Sequence, residues 1–152
     1  MPKITTFLTY DNQAEEAVSF YLSVFEAGTI VSTMRRGEGG PALSLTFELL
    51  GQTFIALNGG PSFSFSQGVS LFVGCETQAE IDRYWAKLSD GGKEIQCGWV
   101  TDKFGLTWQI VPNVLGELLG GKDAAGAGRA MQAMLRMKKL DIASLKRAYD
   151  AA

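Results

Sequence analysis

Residues 97–112, CGWVTDKFGLTWQIVP, decide the fold because they place two strands on either side of a tight turn. The turn Asp102-Lys103-Phe104-Gly105 has a turn-favouring residue at each end, and β-branched and aromatic residues flank it. Side chains alternate along the strand that follows, so Gln109 and its neighbour Trp108 belong to opposite faces. We expect Trp108 to pack against a helix as core and Gln109 to lie on the other face.

This hairpin ends a module that occurs twice along the chain. In each half a strand precedes an amphipathic helix and further strands follow, with an offset of about 63 residues between the halves. The first helix is expected to begin at an Asp11 N-cap and the second at a capping box formed by Thr77 and Glu80. The predicted strands are 4–10, 29–35, 42–50, 52–58, 68–75, 93–101 and 105–111.

Composition and charge exclude several classes of protein. The chain has 152 residues, is 46% hydrophobic and has a net charge of −2, which argues against a basic nucleic-acid binder. It contains no histidine, which excludes imidazole metal sites and His-dependent nucleophiles. Cys75 and Cys97 are too few for a disulfide framework. Residues 1–13 do not resemble a signal peptide and no apolar run approaches the ~20 residues of a membrane span, so we expect a cytoplasmic protein without a membrane partner.

After Pro112 the composition shifts to helix-forming residues. The tail from residue 122 onward has seven Lys or Arg and three Asp or Glu, a charge of +4, and residues 1–121 carry −6. A basic amphipathic tail can bind anionic lipid or nucleic acid. We favour apolar helix faces that pack on the acidic body or on a second subunit. Those faces contain Met131, Met134, Leu135, Ile142, Leu145 and Tyr149.

Several motifs together resemble one family. They are Tyr10-Asp11-Asn12-Gln13-Ala14-Glu15-Glu16-Ala17 with Phe20-Tyr21 and Phe25, Gly51-Gln52-x-Phe54, Asn58-Gly59-Gly60-Pro61, residues 97–112 and the tail around 133–142. The chain resembles the PhnB-like family, often labelled 3-demethylubiquinone-9 3-methyltransferase. That family belongs to the vicinal oxygen chelate superfamily, with glyoxalase I, bleomycin-resistance proteins and extradiol dioxygenases.

The resemblance implies an α+β fold with two βαβββ modules, which form a curved half-barrel sheet around a shared cleft, plus C-terminal helices. It implies a single domain over 1–152, with module one at 1–60, module two at 66–112 and a helical extension at 113–152. It also implies a homodimer. The methyltransferase label gains no support from the sequence, because no Gly-rich loop follows the first strand as a nucleotide-binding unit would need.

Catalytic members of the superfamily hold a divalent metal with His and Glu side chains. At the positions that the resemblance matches, this chain has Thr5 or Phe7, Ala56 or Asn58, Ser70 and Gln109. A neutral amide and a hydroxyl are poor replacements for a carboxylate and an imidazole. We therefore expect no metal and no cofactor.

The positions that the resemblance matches, together with the alternation of side chains along each strand, predict a cleft lined by aromatic, hydroxyl and amide groups. Such a lining suits an uncharged or weakly polar planar ligand. One hypothesis is a metal-free protein that binds a small organic molecule there. Another is a metal-independent enzyme in which Gln109 and Asn58 orient the substrate, with no catalytic residue identified. A third is a structural or partner-binding protein with a filled cleft. The predicted lining is Phe7, Thr9, Phe54, Ala56, Asn58, Ser70, Phe72 and Gln109.

Asp102 allows two interpretations. As a desolvated carboxylate it could serve as a general base. We favour the alternative that it caps the backbone of its own turn, as Asp at the first position of a turn commonly does.

Overall fold

In the computed structural model, which describes residues 1–151, the chain forms two compact units that divide between Ser64 and Phe65. Each unit contains one βαβββ module with a four-stranded mixed sheet. The α+β class and the duplicated module predicted from the sequence are confirmed.

The elements of the first unit are β1 (Thr6–Tyr10), α1 (Ala14–Val24), β2 (Thr29–Arg35), β3 (Ala42–Leu49) and β4 (Gln52–Asn58). Its sheet has one parallel and two antiparallel strand pairs, in the order β1-β4-β3-β2. The β3–β4 hairpin turns at Leu50 and Gly51, whose φ angles of 48° and 84° are those that a two-residue hairpin of primed type requires.

Helix α1 packs on one face of this sheet through an aromatic stack. Tyr21 is fully buried and stacks on Phe47, with ring centroids 6.4 Å apart, and Phe47 stacks on Phe54 at 5.3 Å. The predicted Asp11 N-cap is wrong, because the helix begins at Ala14 and its N-cap position is Gln13.

The second unit contains the other sheet and the C-terminal helices. Its elements are β5 (Leu71–Cys75), α2 (Gln78–Ser89), β6 (Lys93–Glu94), β7 (Trp99–Thr101), β8 (Thr107–Pro112), α3 (Val114–Leu119), α4 (Ala124–Leu135) and α5 (Ile142–Asp150). The strand order is β5-β8-β7-β6, with β5 parallel to β8. The capping box of α2 is present, and hydrogen bonds from the backbone of Thr77 and Glu76 hold the pKa of Glu80 below its usual value.

The single strand predicted at 93–101 is wrong, because it is interrupted between β6 and β7. Cys97 and Gly98 have φ angles of 60° and 82°, a left-handed conformation that cannot continue a strand. Their backbone N–H groups donate instead to the carbonyls of Met137 and Lys138, both at 2.8 Å. A segment of the C-terminal tail therefore replaces strand pairing at this point.

The tail forms a small core of its own on the second unit. Leu140 and Leu145 are fully buried together with Val111 and Leu115, and Met134 packs against them. The expected packing of the tail on the body is thus present for these residues, whereas Met131 and Leu135 remain 38% and 48% exposed. Among the described residues, no helix is long and apolar enough to cross a membrane.

Candidate functional site

The second sheet has one face against α2 and one face that this helix leaves open. Val100, Trp108 and Ile110 are buried on the α2 side, as the alternation along β8 predicts. Trp108 is 2% exposed, which confirms its predicted core role. Gln109 lies between Trp108 and Ile110 in sequence and therefore on the open face.

Three side chains form a row across the open face. Phe72 of β5 and Trp99 of β7 are both register partners of Gln109 on the central strand β8. Register partners are nearest neighbours on one face of a sheet, so the residue that carries the amide lies between the two aromatic residues. Phe72 is 63% exposed, and Trp99 and Gln109 are half-buried. We call Phe72, Gln109 and Trp99 the aromatic row.

Hydroxyl groups adjoin the aromatic row on the same face. Gln109 Nε2 donates to Ser70 Oγ at 2.8 Å, which fixes the orientation of the amide. The hydroxyls of Thr101 and Thr107 are hydrogen-bonded to each other at 3.2 Å, but Thr107 is only 1% exposed, so Thr101 is the accessible member of this pair. The amide retains a second N–H and a carbonyl oxygen, so it can offer both a donor and an acceptor to a ligand.

Trp99 is the site residue that the sequence analysis missed. Its position was predictable in principle, because Val100 pairs with Trp108 on the core side and alternation then turns Trp99 outward. The predicted unbroken strand 93–101 obscured this signal, since it offered no pairing register. Trp99 gives the open face a fluorescent side chain beside Gln109.

Two of the predicted lining residues, Phe7 and Thr9, lie on the open face of the first sheet. They are in register with Ile55 and Leu57 of β4. Phe7 is 53% exposed and Thr9 is half-buried. This face belongs to the first unit and is separate in sequence from the aromatic row.

The prediction that Phe54, Ala56 and Asn58 share the face of Phe7 and Thr9 is wrong. Phe54 and Ala56 are 4% and 0% exposed on the α1 side of the sheet. Asn58 Oδ1 accepts from the Ala14 backbone N–H at 2.8 Å, and Asn58 Nδ2 donates to the Ala42 carbonyl at 3.0 Å. Asn58 therefore caps α1 and joins it to β3, which is the role predicted for Asp11.

Asp102 stabilises the hairpin beneath the site. Its Oδ1 accepts from the backbone N–H groups of Phe104 and Leu106, at 2.9 and 3.1 Å, and its Oδ2 accepts from Trp108 Nε1 at 2.8 Å. The carboxylate is 2% exposed and lies on the core side with Trp108. This geometry confirms the capping interpretation, and the indole contact is an addition that the sequence did not predict.

The residues present do not fit the metal site of the superfamily. Ser70 and Gln109 are hydrogen-bonded to each other, and both are neutral. Within residues 1–151, no three His, Cys, Asp or Glu side chains are grouped as a metal-binding set. Divalent first-row metals prefer imidazole, thiolate or carboxylate ligands, so this pair makes a poor site for them.

The two thiols differ in environment. Burial is the main cause that raises the pKa of Cys75 to about 11, and the nearby Glu80 carboxylate adds to it. A thiol with such a pKa is protonated and unreactive at neutral pH. Cys97 is half-buried in the loop before β7.

Comparison of structures defines the class of protein first. A glyoxalase/bleomycin resistance protein from Albidiferax ferrireducens superposes with a TM-score of 0.51 at 13% identity, over 72% of this chain and 96% of that one. The fosfomycin resistance protein FosX from Listeria monocytogenes, described in complex with Mn(II) and sulfate, gives 0.57 at 12% identity, over 78% and 95%. These likenesses establish the glyoxalase/bleomycin-resistance fold.

The family follows from the sequence match. Residues 2–111 match the family model described as 3-demethylubiquinone-9 3-methyltransferase, and the chain belongs to this PhnB-like family. The PhnB protein from Bacillus cereus is 37% identical, with a TM-score of 0.68 over 73% of this chain and 99% of its own. Comparison with curated proteins gave no match. The family match ends before α3, so the likeness of the tail to the family stays a prediction.

Proposed function

We propose that this protein binds an uncharged, planar organic molecule on the open face of its second sheet, without a metal ion. The observation that carries the proposal is the aromatic row, in which Phe72 is 63% exposed. A hydrogen-bonding amide between two aromatic side chains can stack on a flat ligand and fix its orientation.

The chemistry of the face selects the class of ligand. The side chains of the aromatic row and of Ser70 beside it are neutral, so an ionised group held at the row would have no charged partner within it. Lys93 of the edge strand β6 is in register with Thr101 and places a positive charge at the rim of the same face. Hydroxyl and amide groups can bond carbonyl or hydroxyl substituents of a flat ring. Quinones have these features, and the family description names a demethylubiquinone. The neutral side chains that remain at least partly exposed are Ser70, Phe72, Trp99, Thr101 and Gln109.

Thermal melting with a panel of uncharged planar molecules, including naphthoquinones, tests this proposal. A ligand at 100 times its Kd stabilises the native state by about 2.7 kcal/mol, which raises Tm by about 5 °C or more for a chain of this size. We expect Phe72→Ala to abolish the rise. Phe63→Ala is the matched control, because Phe63 is 56% exposed and belongs to the first unit. Loss of the rise in both variants, or in neither, would contradict the proposed site.

The two other hypotheses from the sequence are weakened by particular residues. A metal-independent enzyme loses one of its two orienting groups, since Asn58 caps α1. A filled site is disfavoured because the ring of Phe72 is exposed. Turnover of a bound quinone, measured by its absorbance, would separate an enzyme from a binding protein.

A homodimer is part of the proposal. Its support is the edge strand β2, where Ile30, Val31 and Met34 are 42%, 56% and 61% exposed. Exposed apolar side chains on an edge strand favour pairing with another chain. Light scattering is expected to give twice the chain mass of 16.4 kDa, and a monomer at micromolar concentration would contradict it.

A further inference from the structure

Part of the C-terminal extension packs on the face of the second sheet that carries the aromatic row. Val111 follows Gln109 by two residues on β8 and shares its face, about 6.6 Å further along the strand. Gly74 is its register partner and has no side chain to cover it. Val111 is nevertheless only 6% exposed, because Leu115, Leu140 and Leu145 of the extension surround it. The extension therefore occupies the Val111 end of the open face.

The loop before the aromatic row is also bound to the extension. Gly98 accepts from the Ile110 N–H at 2.8 Å and donates to the Lys138 carbonyl at 2.8 Å, so it joins β8 to the tail. A Cβ on Gly98 would lie 3.0 Å from Leu140 Cδ1, which shows how closely Leu140 approaches this loop. The next residue is Trp99, so the tail lies beside one member of the row.

Side-chain contacts to α2 hold this segment in place. Gln78 Nε2 donates to the Leu140 carbonyl at 3.0 Å, and Gln78 Oε1 accepts from the Ile142 N–H at 2.8 Å. Lys139 Nζ lies 2.9 Å from Asp82 Oδ1. With Leu140 fully buried, the segment is anchored from both sides. The segment is therefore held in a fixed position at the Val111 end of the second sheet.

We propose that the C-terminal extension determines ligand size, by walling the Val111 end of the face that carries the aromatic row. The inference rests on the proposed function, since it assigns a role at the same site. The extension lies beyond the family match at residue 111, and the Bacillus cereus PhnB chain is covered over 99% of its length by 73% of this one.

A tethering experiment tests the wall without knowledge of the natural ligand. Gln109→Cys in a Cys97→Ser background places a thiol on the open face, and the native Cys75 is buried. Modification rates by methyl and by naphthylmethyl methanethiosulfonate are measured by mass spectrometry. The rate with the methyl reagent divided by the rate with the naphthylmethyl reagent reports the space available to a large group beside Val111.

Two variants loosen the wall and one serves as control. Leu140→Ala removes an anchoring side chain, and Gln78→Ala removes the hydrogen bonds to α2. Leu88→Ala is matched to Leu140→Ala, because Leu88 is equally buried but lies in α2, on the other side of the sheet. The small-to-large rate ratio is expected to fall about fivefold in a folded wall variant, equivalent to about 1 kcal/mol of relieved steric hindrance. It should not change in Leu88→Ala.

The outcomes separate the wall from the proposed function. No change in the ratio for either wall variant, or an equal fall in Leu88→Ala, would overturn the wall. If Leu140→Ala does not fold, Gln78→Ala alone decides, since it removes no core side chain. Because the reagents attach covalently, the ratio can reveal a wall even when no molecule of the quinone panel raises Tm.

Discussion

Replacing Asp102 by alanine is expected to destabilise the hairpin that carries Trp99 and Gln109. The carboxylate is 2% exposed and accepts hydrogen bonds from Phe104 N, Leu106 N and Trp108 Nε1. Leu106 and Trp108 are buried, so their donors find no water when the carboxylate is removed. Each unsatisfied buried donor costs about 1–3 kcal/mol, so the two together cost about 2–6 kcal/mol.

Asp102→Asn separates the backbone contacts from the indole contact. Its amide oxygen can still accept from the two backbone N–H groups, but its NH2 group then faces the Trp108 N–H, donor against donor. One buried donor is lost, so we expect a cost of about 1–3 kcal/mol. Asp90→Ala is the control, since Asp90 is exposed and a surface substitution changes stability within about 0.5 kcal/mol.

Urea denaturation followed by far-UV circular dichroism measures these differences. The reasoning predicts the order Asp102→Ala, then Asp102→Asn, then Asp90→Ala in loss of unfolding free energy. A loss below about 1 kcal/mol for Asp102→Ala, or equal losses for both Asp102 variants, would refute it.

Three further predictions follow from local chemistry. Burial raises the pKa of Cys75 from 9.0 to about 11, so the folded state favours the protonated thiol and the free energy of unfolding should fall as pH rises from 9 towards 11. Iodoacetamide at pH 8 should spare Cys75 in the native protein and modify it in urea. Asp141 caps α5 by accepting from the Ser144 hydroxyl and from the Ser144 N–H, and these two bonds lower the pKa of its carboxyl. Asp141→Ala should cost about 1 kcal/mol of unfolding free energy at pH 7, and urea melts should show this difference disappearing as pH falls below 3.8. Dialysis against EDTA should leave Tm unchanged, and a fall in Tm reversed by zinc or manganese would contradict the metal-free proposal.

The fold was predictable because local signals agreed with one another. The capping box at Thr77 and the amphipathic pattern of α1 each fixed an element boundary within a few residues. Their repetition indicated a duplicated module. The break at Cys97 was not predictable, because a non-glycine residue with φ of 60° depends on the tail segment that hydrogen-bonds to it.

The residues of the candidate site were predictable only on a strand whose neighbouring apolar residues identify the core face. On β8, Gln109 lies between Trp108 and Ile110, so one face was clearly the core. On β4, apolar residues occur at both Phe54 and Ile55, and strand periodicity could not choose between the faces. The resemblance matched Asn58 to a ligand position of the superfamily, although its partner is the first turn of α1.

The indole N–H signals of the three tryptophans test the central claim most directly. Two of these groups are bonded to carboxylates, Trp85 Nε1 to Glu94 at 2.6 Å and Trp108 Nε1 to Asp102 at 2.8 Å, whereas Trp99 belongs to the aromatic row. In a spectrum of ¹⁵N-tryptophan-labelled protein, with Trp99→Phe to assign the peak, a planar uncharged ligand should shift the Trp99 signal and leave the other two in place. A ligand that binds and shifts Trp85 or Trp108 while Trp99 stays unchanged would contradict the account.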